Sequence, residues 1–334
     1  MNLMKSIQKL IFYCFIVLSA NISFGQKTFR KYDMIVTADG TSRFRTIQEA
    51  INAVPDNMSG RTVIFIKKGV YKEKVSVSST KKNLTLIGED LNRTVITYDD
   101  YNPKVIGKDT ITTWSSSTFA VDAEGFIAEN ITFENSAGTV GQAVAMRIIS
   151  DMVIFRNCRF IGNQDTLFAH GIGRMYFVNC YIEGTTDFIF GSAIALFEDC
   201  RIHSKKNSYI TAASTPLGNQ YGYIFMNCKL TADSDVTEVF LGRPWRPYAK
   251  TVYIDCWLGS HIRPEGWDNW HSLEKEKTVY YAEYKSKGPG ANSASRVAWT
   301  KQLTDEEAKI YTTALIFART SVPIPVVGAW LPEK

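Results

Sequence analysis

A chain of 334 residues with 45% hydrophobic and 21% charged residues has the composition of an ordinary globular protein, enough for one large domain or two, and it excludes a disordered chain. The formal net charge of +5 falls to +3 when residues 1–25, with Lys5 and Lys9 and no acid, are set aside. A solvated basic surface accounts for so small an excess; no nucleic-acid motif accompanies it, and no nucleic-acid partner is expected.

Lys5 and Lys9 precede an apolar run over residues 10–18 and then small residues at Ala20, Ser23 and Gly25. This is the pattern of a secretory signal peptide, expected over residues 1–25 with cleavage near Gly25. The run is too short to cross a bilayer and no second one of about 18 apolar residues follows, so no stable membrane anchor is expected. Cys14 follows Phe12 and Tyr13 rather than small residues, which argues against lipid attachment there. The protein is expected outside the cytoplasm, secreted or periplasmic, with residues 26–334 as its functional domain. Five cysteines remain after residue 25, an odd number, so at least one thiol is left unpaired.

Next comes a short strand and an Asp-Gly turn in DMIVTADGTSRF. Thr46 with Glu49 three residues later forms a capping box, and Ile47, Ala50, Ile51 and Val54 share one face of a helix that Pro55 stops. One amphipathic helix ahead of many strands is expected to cap the open end of a sheet. TVIFIKKGVY, NLTLIGE and TVITY read as short strands broken by Gly, Asn or charge, and the polar residues 99–117 read as a loop.

From residue 126 a repeat governs the chain. Cys158, Cys180, Cys200, Cys228 and Cys256 follow one another at intervals of 22, 20, 28 and 28 residues. An aromatic stands three residues before each (Phe155, Phe177, Phe197, Phe225, Tyr253) and Asn or Asp directly before each (Asn157, Asn179, Asp199, Asn227, Asp255). Two residues after each is an apolar side chain, and ENITF at 129–133 is an earlier copy with Ile131 in the cysteine place. Such repeats describe an all-β solenoid, a right-handed parallel β-helix, in which equivalent residues of successive coils stack about 4.8 Å apart. Cysteine and aromatic columns point inward, and the Asn column sits at a bend where unusual dihedrals are needed. A disulfide framework is the rival for the cysteines; free buried thiols explain all five. The 28-residue intervals imply insertions at 204–220 and 232–246 that wall a groove. Thr304 and Glu307 form a second capping box, opening a helix through about Ala314 that is expected to cap the far end.

The same interval carries polar residues. Gln142 and Gln164 are 22 residues apart, as are Asp165 and Asp187, and each Asp lies seven residues after a cysteine. The two carboxylates are therefore expected on adjacent coils about 5 Å apart at the backbone, too close for both to ionise freely, so one is pushed toward the acid form. The two Gln amides are on the same side and suit donation to an oxyanion. Arg243, 13 residues before Cys256 as Asp187 is before Cys200, suits an ion pair that keeps Asp187 charged and oriented. Singly, each of these residues reads as an ordinary turn or surface residue; their common register points to a site.

The strings TIQEAINAVP, GVYKEKV, GQAVAMR, NQDTLF, DFIFG, LGRPW, GWDNW and AEYKSKGPGA together resemble carbohydrate esterases of the pectin methylesterase (pectinesterase) type, over most of the chain after residue 25. The resemblance implies a pectin lyase-like β-helix with a groove for methylated polygalacturonate (pectin), and neither metal nor organic cofactor. It implies that Gln142 and Gln164 line the oxyanion site, that Asp165 is the general acid and base, and that Asp187 is the nucleophile. Arg243 and Trp245 would position the nucleophile and the sugar, with Phe168 and Phe190 also binding substrate. Plant members often carry Tyr where Asn163 and Phe168 stand, and Gln-Gly-Arg where Ala213, Ser214 and Thr215 stand, which bears on subsite preference. A plant-type inhibitory pro-region is not expected, and the protein is expected to be a monomer.

Rival readings remain. A β-helix glycoside hydrolase also uses a close carboxylate pair, and a non-catalytic pectin-binding module would keep the groove alone. A polysaccharide lyase asks for a calcium-binding Asp cluster that the sequence lacks. A serine esterase lacks its G-x-S-x-G elbow, and the four His show no zinc-ligand spacing.

Overall fold

A computed structural model describes residues 32–318 and 330–332. The signal-peptide expectation, and Cys14 with it, lies outside the described residues. Within them the chain winds through three parallel sheets of 11, 8 and 7 strands, and neighbours in each sheet come from successive coils. One coil shows the plan. Val153–Arg156 lies in the first sheet, Arg159–Ile161 in the second and Leu167–Ala169 in the third, before Arg174–Val178 re-enters the first beside its own start.

The repeat makes this coil for physical reasons. The residue before each cysteine, and Asn130 before Ile131 in the cysteine place, turns the chain from the first sheet to the second in the left-handed region, with φ between 49° and 57° at Asn130, Asn157, Asn179, Asp199, Asn227 and Asp255. Asn and Asp tolerate that region far better than β-branched residues. The Asn side chains also bond along the stack: Asn157 Nδ2 donates to Asn130 Oδ1 at 2.6 Å and Asn179 Nδ2 to Asn157 Oδ1 at 3.3 Å.

Inside, Phe155, Phe177, Phe197, Phe225 and Tyr253 stack face to face with centroids 5.1, 4.7, 4.6 and 4.5 Å apart. The five cysteines are free and buried. Each thiol donates to a carbonyl one coil back, as in Cys180 to Phe155 at 3.5 Å and Cys228 to Phe197 at 3.3 Å, so the column is satisfied without disulfides.

Helix α1, Ile47–Ala53, forms with the expected capping box and buries Ile47, Ala50 and Ile51 against the terminal strands Met34–Val36 and Val75–Val77. Its first free N–H groups are taken up by the Glu73 carboxylate, from Ile47 at 2.8 Å and Gln48 at 3.1 Å.

Three sequence expectations change. The stretches read as insertions at 204–220 and 232–246 each carry a strand of the third sheet, Tyr209–Ala213 and Phe240–Pro244; the additional length lies in the turns flanking them. The loop at 99–117 contains a small antiparallel hairpin, Val105–Ile106 with Asp109–Thr110. At the C-terminal end the capping box at Thr304 opens only Asp305–Ala308 (α2), and a separate helix, Thr313–Phe317 (α3), follows. α3 buries Ile316 and Phe317 on the outward face of the first sheet, among Tyr176, Leu196, Ile224 and Val252. The far end of the core is closed instead by Trp267, buried between Tyr253 and Tyr281 with centroids 5.7 and 4.6 Å away, and by Trp299 beyond Tyr281.

Candidate active site

Side chains alternate along each strand of the third sheet, so Leu167 and Ala169 enter the core while Phe168 points outward. The outward column runs Arg147, Phe168, Phe190, Ala212 and Arg243 in register across five coils. Phe168 and Phe190 stack at 4.2 Å with planes 2° apart, and Trp245 joins them 6.1 Å from Phe190. These aromatics form the floor of a groove of about 410 Å³ that is also lined by Gln142, Gln164, Asp165, Asp187 and Arg243. Every site residue singled out from the sequence therefore meets in one place.

Asp165 and Asp187 each stand two residues before a third-sheet strand, and both take positive φ, 65° and 49°. Their coils are tied directly: the Asp165 backbone N–H donates to Thr186 O at 3.1 Å, and Asp187 N–H donates to Tyr209 O at 2.9 Å. Gly184 lets the turns approach, since a Cβ there would lie 2.6 Å from Asn163 O and 2.2 Å from Phe188 Cβ.

The two carboxyls differ in surroundings. Burial, and then the charge of Asp187, push Asp165 up to about 8, against a hydrogen bond from Gln142 Nε2 to Asp165 Oδ2 at 2.9 Å and the more distant Arg243 charge. At neutral pH Asp165 is thus mostly an acid, with the oxygen not bonded to Gln142 free to carry the proton. Burial also raises Asp187, but Arg243 opposes it with two hydrogen bonds, Nε to Oδ1 at 3.0 Å and Nη2 to Oδ2 at 2.7 Å. Arg243 is itself held between Tyr209 and Trp270, whose ring centroids lie 3.8 and 3.7 Å from its guanidinium carbon.

Gln142 and Gln164 pair as neighbours in a parallel bridge, so their side chains rise from adjacent coils beside Asp165. The Gln164 side chain is half-buried and lines the groove. The arrangement combines a carboxylate gripped and oriented by a guanidinium, a second carboxyl pushed toward its acid form and amide N–H groups, a set suited to attack, protonate and stabilise at an acyl carbon. Among the described residues no three His, Cys, Asp or Glu side chains gather as a metal ligand set.

Sequence reasoning missed Asn102, Thr113, Trp114 and Trp270. Thr113, Trp114 and Trp270 line the groove, and Asn102 bonds Gln142 behind it. All four stand in connections outside the repeat, where no interval marks them; the GWDNW string contains Trp270 but did not assign it a place.

The chain matches the pectinesterase family model over residues 33–319. It is 40% identical to Pectinesterase 31 of Arabidopsis thaliana over 82% of this chain and 88% of that protein. It spans about half the length of relatives named pectinesterase/pectinesterase inhibitor, 48% and 52% for two from Arabidopsis thaliana. Among solved structures, the pectin methylesterase from carrot superposes with a TM-score of 0.82 at 35% identity, covering 87% of this chain and 94% of that one. A pectin methylesterase in complex with a hexasaccharide superposes with a TM-score of 0.78 at 30% identity, covering 88% and 99%. The chain belongs to the pectinesterase family.

Proposed function

We propose that this protein hydrolyses the methyl esters of galacturonate in pectin, releasing methanol, and that the outward face of its third sheet is the catalytic groove. The observation that carries this reading is the division of labour between two neighbouring carboxyls: Asp187 gripped by Arg243 through two hydrogen bonds, and Asp165 raised to about 8 by burial and by Asp187. Family membership and the hexasaccharide bound by a related enzyme support the substrate class.

In this mechanism an Asp187 oxygen attacks the ester carbonyl while Arg243 keeps the carboxylate ionised and aimed. The carbonyl oxygen becomes an oxyanion that takes N–H bonds from Gln142 and Gln164. As the C–OCH₃ bond breaks, Asp165 gives its proton to the departing oxygen, and methanol leaves an anhydride between Asp187 and the sugar. Asp165, now a carboxylate, takes a proton from water; the hydroxide attacks the acyl carbon, freeing galacturonate and regenerating both residues. Phe168, Phe190 and Trp245 supply apolar surface for the sugar rings. Every step is carried by protein side chains and one water molecule. The signal-like segment at 1–25 supports export, with residues 26–334 acting as a monomeric catalytic domain.

The test is methanol release from highly methylated pectin by the wild type and Asp187→Asn, with chain length followed in the same samples. Methanol from the wild type alone, without shortening, supports the esterase and its nucleophile. Shortened chains point to a glycoside hydrolase, and pectin binding without methanol to a binding module; either result overturns the proposal.

A further inference from the structure

We propose that Asn102 and Thr113 are positioning residues that hold the side-chain amide of Gln142 with its N–H groups toward Asp165 and the groove. The inference rests on the reading of Gln142 as an oxyanion donor and extends it to a part of the chain outside the repeat.

Gln142 Oε1 accepts two hydrogen bonds of 2.7 Å, from Asn102 Nδ2 and from Thr113 Oγ1. Asn102 Nδ2 also donates to Thr113 Oγ1 at 3.1 Å, so the single hydroxyl hydrogen of Thr113 is committed to Gln142. The direction of every bond in this triangle follows. An amide nitrogen cannot accept, the hydroxyl accepts once and donates once, and the oxygen of Gln142 receives both. The opposite end of the amide then presents two N–H groups, one of them donated to Asp165 Oδ2 at 2.9 Å.

The lock has a purpose because the two ends of a carboxamide have nearly the same shape. With Asp165 in its acid form, a turned-over Gln142 would accept the acid proton on Oε1 and point no N–H at the groove. With its own Nδ2 toward Gln142 and Thr113, Asn102 opposes that orientation, since its N–H would then face the N–H groups of Gln142. Thr113 alone would not, because a hydroxyl serves either way.

The loop bearing both residues is built for this. The Asn102 backbone N–H donates to Gln142 O at 2.8 Å in an antiparallel bridge. Gly141 permits the approach, with φ 151° and a Cβ position 2.4 Å from Asn102 O. Asn135 Nδ2 ties down both arms of the loop, donating to Asp100 O at 2.9 Å and Ser116 O at 3.3 Å. Lys74 and Lys104 clamp the buried Asp100 carboxylate at 2.7 and 2.9 Å.

The charged groups facing Asp165 are Asp187, which raises it, and Arg243, which lowers it, from the coils that follow; Gln142 adds a lowering hydrogen bond from the coil before. Losing that bond moves Asp165 further up, so the basic limb of the rate profile moves to higher pH.

The experiment compares Thr113→Val, Thr113→Ser, the Asn102→Ala/Thr113→Val pair, Gln142→Ala and the triple variant for methanol release from methylated pectin. Removing an oxyanion donor costs about 100-fold in kcat, so the pair is expected to lose roughly tenfold or more in kcat with KM little changed. The pair should also shift its basic limb upward, Thr113→Ser should recover wild-type behaviour, and the triple variant should be no worse than Gln142→Ala. Losses that multiply between the pair and Gln142→Ala, or an unmoved basic limb, overturn the positioning role. So does an unimpaired pair beside an impaired Gln142→Ala. Full activity in Gln142→Ala overturns the donor reading itself and the inference with it.

Discussion

Arg243 reaches Asp187 from two coils away, Nη2 to Oδ2 at 2.7 Å and Nε to Oδ1 at 3.0 Å, although its backbone is in register with Ala212 and Phe190 rather than with Asp187. The side chain runs back along the groove to make a two-bonded pair while Tyr209 and Trp270 hold its plane. Lys lacks both the second bond and the flat face. Arg243→Lys is therefore expected to lower kcat by roughly 10- to 100-fold, about 1.4 kcal/mol of barrier per tenfold. Because Arg243 lowers the Asp187 pKa that burial raises, its loss moves the acid limb of the rate profile to higher pH. A pH-rate series on wild type and Arg243→Lys checks both; an unmoved acid limb contradicts the assignment.

Burial of Asp165 also has a sign in stability. Its folded pKa of about 8 lies above the ordinary aspartate value of 3.8, so the folded state holds a proton that the unfolded chain releases. Stability is complete below about 4 and is lost as pH rises toward 8. Asp165→Asn keeps the acceptor for Gln142 and removes the titration. The variant should melt higher than wild type at pH 8 by more than it does at pH 4, while methanol release falls sharply. Equal differences at the two pH values would show that Asp165 is not raised.

The corner asparagines offer a test of the coil. Asn157 holds φ 49° and bonds both Asn130 and Asn179. Asn157→Ala loses those bonds and meets the left-handed penalty of about 1–2 kcal/mol, whereas Asn157→Gly loses only the bonds. Urea unfolding should rank wild type above Gly and Gly above Ala. Ala equal to Gly would mean the dihedral carries no cost.

The cysteine column is chemically quiet in the native state. Burial pushes Cys158 up to about 12 and raises Cys180 and Cys228 as well, and all five thiols, Cys200 among them, are enclosed. In protein beginning at Gln26, a thiol reagent should modify none of the five in native buffer and all five in denaturant without reductant. Fewer than five after denaturation would reveal a disulfide.

The regular part of this protein was legible because a coil has a constant rise. An interval of 22 residues between Asp165 and Asp187, matching that between Cys158 and Cys180, places both pairs on neighbouring coils. The same logic found the aromatic and Asn columns and the pair of Gln residues. It weakened where coil length changed: Arg243 was matched to Asp187 by its distance from a cysteine, yet the true register is three residues further on, and the contact exists because a long side chain spans the difference.

Tertiary structure alone decided the rest. Asn102, Thr113, Trp114 and Trp270 belong to connections with no period, and their positions follow from ties such as Asn135 to Asp100 and Ser116. The C-terminal helix chose the outward face of the first sheet because Ile316 and Phe317 find an apolar surface there, while Trp267 already fills the end of the core. The difference between Asp165 and Asp187 likewise depends on burial and on which cation arrives. Spacing along the chain specifies neighbours only where every turn advances equally; elsewhere the fold must bring them together.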